Sequence, residues 1–227
     1  ETLFTSNKVG SYVSGVILYD ETIKQKSSNG DTIPELLNKQ NILPGIKVDA
    51  GTKPLDGSPD ELYTDGLTGL TERLKEYYNL GARFTKWRAV YKISKDHPSQ
   101  NAITNNAKSL AKYAALVQEA NMVPIVEPEV LMDGDHDINR CFEVTSAVLK
   151  ECFQELKNEK VKMEGIVLKP NMILNGADSG LKNDPAIVAA KTLECLKNNV
   201  PKEVPGIAFL SGGQSELEAT INLNEIN

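Results

Sequence analysis

Lys169 follows the apolar run Gly165-Ile-Val-Leu168 and precedes Pro170, so its side chain leaves the end of a segment that reads as a buried strand. An ammonium there is costly unless it is paired or neutralised, and desolvation together with nearby cations such as Lys86 or Arg88 favours the neutral amine. The neutral amine is the form that attacks a carbonyl carbon, so the expected chemistry is Schiff-base formation. In Val123-Pro-Ile-Val-Glu-Pro-Glu-Val130, Glu127 and Glu129 set two carboxylates on one strand face. Like charges that close raise one proton affinity, which suits a general acid or base, with the second glutamate a partner for Lys86 or Arg88. Lys47 and Asp49 share a face in the same way, as do Lys86 and Arg88. Any one of these charges alone reads as a solvated strand end.

Leu210-Ser-Gly-Gly-Gln214 ends a strand and precedes the helical stretch Glu216–Ile221. The N–H groups of Ser211, Gly212 and Gly213 and a helix N-terminus would then face one rim and suit a phosphate, although Ser-Gly-Gly is also an ordinary turn. His97 and His136 sit in loops without a second histidine or cysteine at ligand spacing. The acidic run Asp133–Asp137 reads as a loop and helix cap, so neither a metal nor a cofactor is expected. Trp87 lies between Lys86 and Arg88, on the opposite face, and is expected to pack against helices.

The elements that must hold these residues repeat. Short apolar runs start at Ser14, Gly45, Arg83, Val123, Gly165 and Gly206, spaced 31, 38, 40, 42 and 41 residues apart. Segments of helical periodicity fall between them at Thr64–Leu80, Asn101–Met122, Asp137–Lys160 and Asp184–Val200. Asp184-Pro185 is a natural helix start and Asn79–Gly81 a natural stop, while Lys26-Ser-Ser-Asn-Gly-Asp31 is a loop by composition. Strands alternating with helices predict parallel pairing in an α/β fold, as an open doubly wound sheet or as a closed (β/α)8 TIM barrel. About six strand–helix units are present, fewer than a barrel's eight. Charged residues crowd the C-terminal ends of most strands, and Asp20-Glu-Thr-Ile23 stands where a nucleotide-binding fold would carry a glycine-rich turn, so the barrel is favoured. Lys47, Lys86, Glu127, Lys169 and Ser211 follow one another at 39, 41, 42 and 42 residues, which is the repeat period itself and predicts one shared rim.

The 227 residues are 40% hydrophobic and 25% charged, in the range of one soluble globular domain, with no interior stretch that resembles a linker. A formal net charge of −6 argues against a general nucleic-acid binder but leaves room for an anionic substrate held by local cations. Cys141, Cys152 and Cys195 lack metal-ligand spacing and read as reduced, buried thiols of a cytoplasmic protein. No apolar run nears the roughly 18 residues that span a bilayer, so no membrane partner is expected. Glu1-Thr-Leu-Phe4 opens without methionine and Asn222-Leu-Asn-Glu-Ile-Asn227 stops inside a helix-like pattern, so both ends are expected to be cut from a longer chain.

Gly45-Ile-Lys-Val-Asp49, Phe84-Thr-Lys-Trp-Arg88, Ile125-Val-Glu-Pro-Glu129, Leu168-Lys-Pro-Asn171 and Phe209-Leu-Ser-Gly-Gly-Gln-Ser215, in that order over almost the whole chain, resemble the motifs of class I fructose-bisphosphate aldolases. The resemblance implies that Lys169 is the Schiff-base lysine and Glu127 the main proton acceptor and donor. Glu129, Lys86, Arg88, Lys47 and Asp49 would form the surrounding charged site, and Ser211, Gly212 and Gly213 would bind a substrate phosphate. It further implies metal-free, reversible cleavage of fructose 1,6-bisphosphate in glycolysis and gluconeogenesis by a cytoplasmic homotetramer, with a phosphorylated sugar as substrate and neither nucleic acid nor membrane as partner. The family's first strand with its catalytic aspartate, and its last strand with a phosphate-gripping arginine and a tail ending in tyrosine, have no counterpart here. The six strands would be strands two to seven of the barrel, in a single domain over residues 1–227. Ala50 stands where many relatives carry lysine. Two other readings stay open: a non-catalytic aldolase-like interaction protein, and a Schiff-base aldolase for a monophosphate or deoxy sugar.

Overall fold

Five of the six apolar runs become strands, the run from Gly206 holding only a bridge at Ile207, and the longer periodic segments become helices that cover one side of them. A computed structural model describes residues 2–227, so Glu1 lies outside the described residues. The chain runs through α1 (Thr2–Thr5), β1 (Gly15–Leu18), α2 (Asp20–Ile23), α3 (Ile33–Lys39), β2 (Leu43–Lys47), β3 (Thr52–Leu55) and β4 (Ser58–Thr64). It continues through α4 (Leu70–Asn79), β5 (Phe84–Tyr91), α5 (Gln100–Glu119), β6 (Val123–Val130), α6 (Ile138–Asn158), β7 (Val167–Leu168), α7 (Pro185–Asn199) and α8 (Glu216–Ile226). Five strands pair in parallel in the order β1-β2-β5-β6-β7, and Ile207 extends the sheet by a parallel bridge to Leu168. Each strand of this sheet is added on the same side of the one before it. A doubly wound sheet would reverse direction at a switch point, so the order selects the barrel wall over the open sheet.

Four helix-to-strand returns share one conformation. Asn41, Gly81, Asn121 and Lys160 lie in the left-handed region, with φ of 60, 108, 57 and 59°. The next residue donates its N–H five positions back each time: Ile42 to Leu37, Ala82 to Tyr77, Met122 to Val117 and Val161 to Leu156, at 2.9, 2.9, 3.1 and 3.0 Å. Those four donors are all buried and apolar. The turn therefore drives one side chain into the core before each following strand.

Phase decides which face meets the barrel interior. Thr85, Trp87, Ala89 and Tyr91 are buried against the helices, where Trp87 stacks on Tyr113 of α5 with centroids 5.4 Å apart. Phe84, Lys86 and Arg88 look the other way. The Phe84 ring occupies the space of two missing side chains: a Cβ at Gly45 would stand 2.3 Å from it, and one at Gly15 2.9 Å. One ring thus floors the interior two residues below Lys86.

The helix expected over Thr64–Leu80 is shorter, because Thr64 closes an antiparallel hairpin of β3 and β4. Its signal is Asp56-Gly57, with Gly57 at φ 80°, a tight-turn pair that the helical periodicity of the following residues obscures. Asn106 of α5, fully buried, holds the hairpin by accepting from Thr64 N at 3.1 Å and donating to Leu62 O at 2.8 Å. Glu61 of β4 in turn accepts from Ser99 N and Oγ at 2.7 and 2.5 Å, at the start of α5.

Lys160 carries a side chain in a left-handed position at which glycine is unstrained. Lys160→Gly is expected to stabilise the protein by about 0.5–1 kcal/mol, seen as a rise of about 2 °C in the thermal midpoint. An unchanged or lowered midpoint would show that this turn carries no strain.

Candidate active site

Four strand ends place alternating charges side by side. Lys47 Nζ lies 2.5 Å from Asp49 Oδ1 and also donates to the Asp49 carbonyl at 2.9 Å. Lys86 Nζ stands 3.9 Å from Asp49 Oδ2 and 3.2 Å from Glu127 Oε2. Lys169 Nζ donates to Glu127 Oε1 at 2.5 Å. The row therefore reads cation, anion, cation, anion, cation across β2, β5, β6 and the end of β7. Glu129 forms a separate ion pair with Arg88 Nε, and this carboxylate holds the guanidinium's pKa above its ordinary value. Four cations against three carboxylates leave the group with one positive charge, inside a chain of net charge −6.

Burial makes these pairs matter. The Asp49 and Glu127 side chains are each 4% exposed, Lys86 12% and Lys169 24%. Glu127 Oε1 is committed to Lys169, whereas Oε2 faces the Lys86 ammonium without an aligned hydrogen bond. Glu127 thus meets an ammonium at each oxygen, and its carboxylate is placed to exchange a proton with Lys169.

The strand register corrects one expectation. Lys86 pairs with Ile125, and Glu127 is level with Arg88 rather than with Lys86. The repeat period counts residues along the chain, but parallel strands in a barrel are staggered: Lys47 stays level with Lys86, while between β5 and β6 positions equal in period differ by two in register. Side-chain reach still brings Lys86 to Glu127. Arg73 of α4, which carried no signal in the sequence, clamps the end of β2 by donating to Val48 O at 2.9 Å and to Gly66 O at 2.5 Å.

A cleft of about 540 Å³ opens where Arg88, Glu127, Glu129 and Lys169 face Ser211, Gly212 and Gly213. Lys47, Asp49 and Lys86 do not line this cleft and reach it only through the ion-pair row. Gly212 and Gly213 both have left-handed backbone, with φ of 62 and 85°. A Cβ at Gly213 would meet Met132 Sδ at 3.1 Å, so the turn accepts only glycine comfortably. Among the described residues the N–H groups of Ser211, Gly212 and Gly213 have no hydrogen-bond acceptor. The start of α8 differs from expectation: Ser215 and Glu218 cap it reciprocally, and Glu216 and Glu218 put negative charge in its first turn. Anion binding here would fall to the turn's N–H groups, not to the helix end. Gln214, held by Asn222 Nδ2 at 2.6 Å, donates to the Ser211 carbonyl at 2.8 Å and braces the turn.

His136 lies in the loop after β6, 7% exposed, where burial lowers its pKa. The three cysteines are buried and free, and burial pushes the Cys152 thiol up to about 12 and Cys141 to about 11.

A parallel barrel wall with a lysine–glutamate pair at its C-terminal rim defines the class of α/β-barrel proteins that do chemistry at that rim. A family profile described as fructose-bisphosphate aldolase class-I matches residues 1–227. Cytosolic fructose-bisphosphate aldolase 4 of Arabidopsis thaliana is 51% identical over all 227 residues of this chain and 58% of its own length. A probable class 1 fructose-bisphosphate aldolase of Xanthomonas campestris is also 51% identical, over 68% of its length. A solved structure of the fructose-bisphosphate aldolase of Plasmodium falciparum, in complex with TRAP and a small-molecule inhibitor, superposes with a TM-score of 0.96 at 45% identity, covering 98% of this chain and 65% of that one. The chain belongs to the class I fructose-bisphosphate aldolase family and has its TIM-barrel fold. It spans about three fifths to two thirds of the length of these relatives.

Glu127 separates two ammonium groups, so its loss should cost more than the loss of either lysine. Glu127→Gln is expected to lower unfolding stability by about 3 kcal/mol and Lys169→Met by only about 1 kcal/mol, because the carboxylate keeps Lys86 in the second case; urea denaturation reads the difference, and equal losses would contradict it. For His136 the folded pKa lies below the ordinary 6.5. Stability is then full above that unfolded-state value and falls as pH drops through it, since the unfolded chain takes up the proton that the folded one refuses. Acidification from about pH 7.5 to about pH 5.5 should destabilise the protein more than its His136→Asn variant; parallel pH curves would remove His136 as the cause.

Proposed function

We propose that this chain carries the Schiff-base chemistry of a class I aldolase and cleaves fructose 1,6-bisphosphate reversibly to dihydroxyacetone phosphate and glyceraldehyde 3-phosphate. The observation that carries the proposal is the Lys169–Glu127 pair at 2.5 Å, both residues lining the cleft opposite Ser211, Gly212 and Gly213. Lys169 passes a proton to Glu127 and its nitrogen pair adds to the C2 carbonyl. Glu127 returns the proton as the carbinolamine loses water, giving an iminium. A carboxylate of Glu127 then takes the proton of the C4 hydroxyl, the C3–C4 bond breaks, and its electrons move into the iminium to give an enamine and the free aldehyde. Protonation at C3 and hydrolysis release the ketone and restore the amine.

Burial strengthens each of these electrostatic contacts, and Arg88, oriented by the Glu129 carboxylate, together with the N–H groups of Ser211, Gly212 and Gly213 gives the cleft the donors a phosphorylated sugar needs. Lys47 and Asp49 continue the charged row and are assigned to substrate binding, and Lys86 to stabilising the Glu127 carboxylate. A role in glycolysis and gluconeogenesis, a single barrel domain, assembly as a homotetramer and a cytosolic location belong to the same proposal. Cytosolic relatives and the glycolytic description of the matching profile support it. No helix among the described residues is long and apolar enough to cross a membrane.

Borohydride reduction in the presence of dihydroxyacetone phosphate should fix the ligand on Lys169, located by peptide mass. Lys169→Arg should lose about a thousandfold or more in cleavage rate together with that adduct. An adduct that persists in the arginine variant would refute the assignment. Absence of both adduct and cleavage in the unaltered chain would favour the non-catalytic reading.

A further inference from the structure

The ladder between β6 and β7 stops just before the Lys169–Glu127 pair for a chemical reason. Alternate N–H groups of β6 point to opposite neighbours: Val123 donates to Arg83 just before β5 and Leu131 to Tyr91 at its end, which leaves the even positions for β7. Two of those even positions, Pro124 and Pro128, have no N–H. Ile125 pairs with Val167 and Val126 with Leu168. Continued, this register sets Glu127 opposite Lys169 and Pro128 opposite Pro170; Pro128 has no N–H to offer the Lys169 carbonyl, while Pro170 faces the segment after Gly206 and accepts from Leu210 N at 3.3 Å.

Lys169 N still donates to Val126 O at 2.8 Å, on the near side of the pair. On the far side, the N–H of Val130 is accepted by the side chain of Asn171 at 3.0 Å, in place of a β7 carbonyl. Asn171 is 3% exposed, and its Nδ2 donates to Thr145 Oγ1 of α6 at 3.2 Å and to Met172 O at 3.1 Å. Its amide is thus fully used, with the oxygen on β6 and the nitrogen on α6.

We propose that Asn171 is a positioning residue for Lys169: its side chain takes the place of a β7 carbonyl for the Val130 N–H, fixes the chain after Lys169 against β6, and so keeps the amine at Glu127. The functional part of this inference rests on the reading of Lys169 as the Schiff-base nucleophile. Asn171 touches no reacting atom and acts through the backbone on either side of Pro170.

Lys86 supplies an internal reference, because it also meets Glu127 but is carried by β5, which the Asn171 side chain does not bond. Zero-length carbodiimide coupling, quantified by peptide mass, gives the ratio of Lys169–Glu127 to Lys86–Glu127 isopeptide in the full chain. Asn171→Ala should lower that ratio about fivefold or more, and Thr145→Val, which removes only the α6 anchor, about twofold. Thr192→Val, which removes a bond from Ile173 N on the same segment, should leave it unchanged. A general loosening would lower both isopeptides together or move the ratio equally in Thr192→Val, and either result overturns the proposal. Should Asn171→Ala not fold, Thr145→Val decides alone, and an unchanged ratio there overturns the proposal. Borohydride trapping with dihydroxyacetone phosphate on the same proteins should slow at Lys169 in proportion to the ratio. If the unaltered chain forms no adduct at Lys169, the nucleophile reading fails, while the isopeptide ratio still decides whether Asn171 holds the pair.

Discussion

Glu127 is a carboxylate almost removed from water, with one ammonium on each of its oxygens. Each charge in that contact would be costly alone, since an unpaired buried ion forfeits its hydration. The three groups come from β5, β6 and the end of β7, so satisfying them requires those strands to meet at one height and with one face inward. Much of the architecture serves that requirement: the shared return from helix to strand anchors the chain in the core ahead of each strand, Phe84 fills the floor, and Pro128 with Asn171 sets where β7 lets go. The same contact has chemical use, because a lysine beside a carboxylate can lose and regain a proton without either group reaching water.

Charge is organised locally and not over the whole chain. A protein of net charge −6 keeps a rim with one excess positive charge by alternating cations with carboxylates that are themselves buried. The turn at Ser211, Gly212 and Gly213 adds N–H donors without adding charge, and its left-handed glycines hold them in place. The helix behind the turn spends its own N-terminus on the cap from Ser215 and Glu218, which leaves the turn as the anion-facing element.

The hairpin β3–β4 stands outside the strand–helix repeat, yet it is tied into the wall. Asn106 and Thr64 join it to α5 and β5, and Glu61 caps the helix that follows β5. A segment absent from the period of the sequence therefore stabilises elements that belong to it. Polar groups buried with complete partners fix orientation more sharply than apolar packing, whose contacts tolerate rotation.

The strand–helix alternation, the charged strand ends, the Ser-Gly-Gly turn and the candidate residues were legible along the chain, because each depends on the order of residue types over a few neighbouring positions. Periodicity found α5, α6 and α7 at nearly their full extent, and Lys169 after a buried run was visible as an expensive cation. It misplaced the start of α4, where Asp56-Gly57 turned the chain back into a hairpin held by a buried asparagine from 42 residues away. Only tertiary structure decided which charges touch. The two-residue offset between Lys86 and Glu127 comes from the stagger of tilted strands, and the partner of Val130 N is a side chain on another element. Both depend on distances across the sheet, which no local spacing encodes.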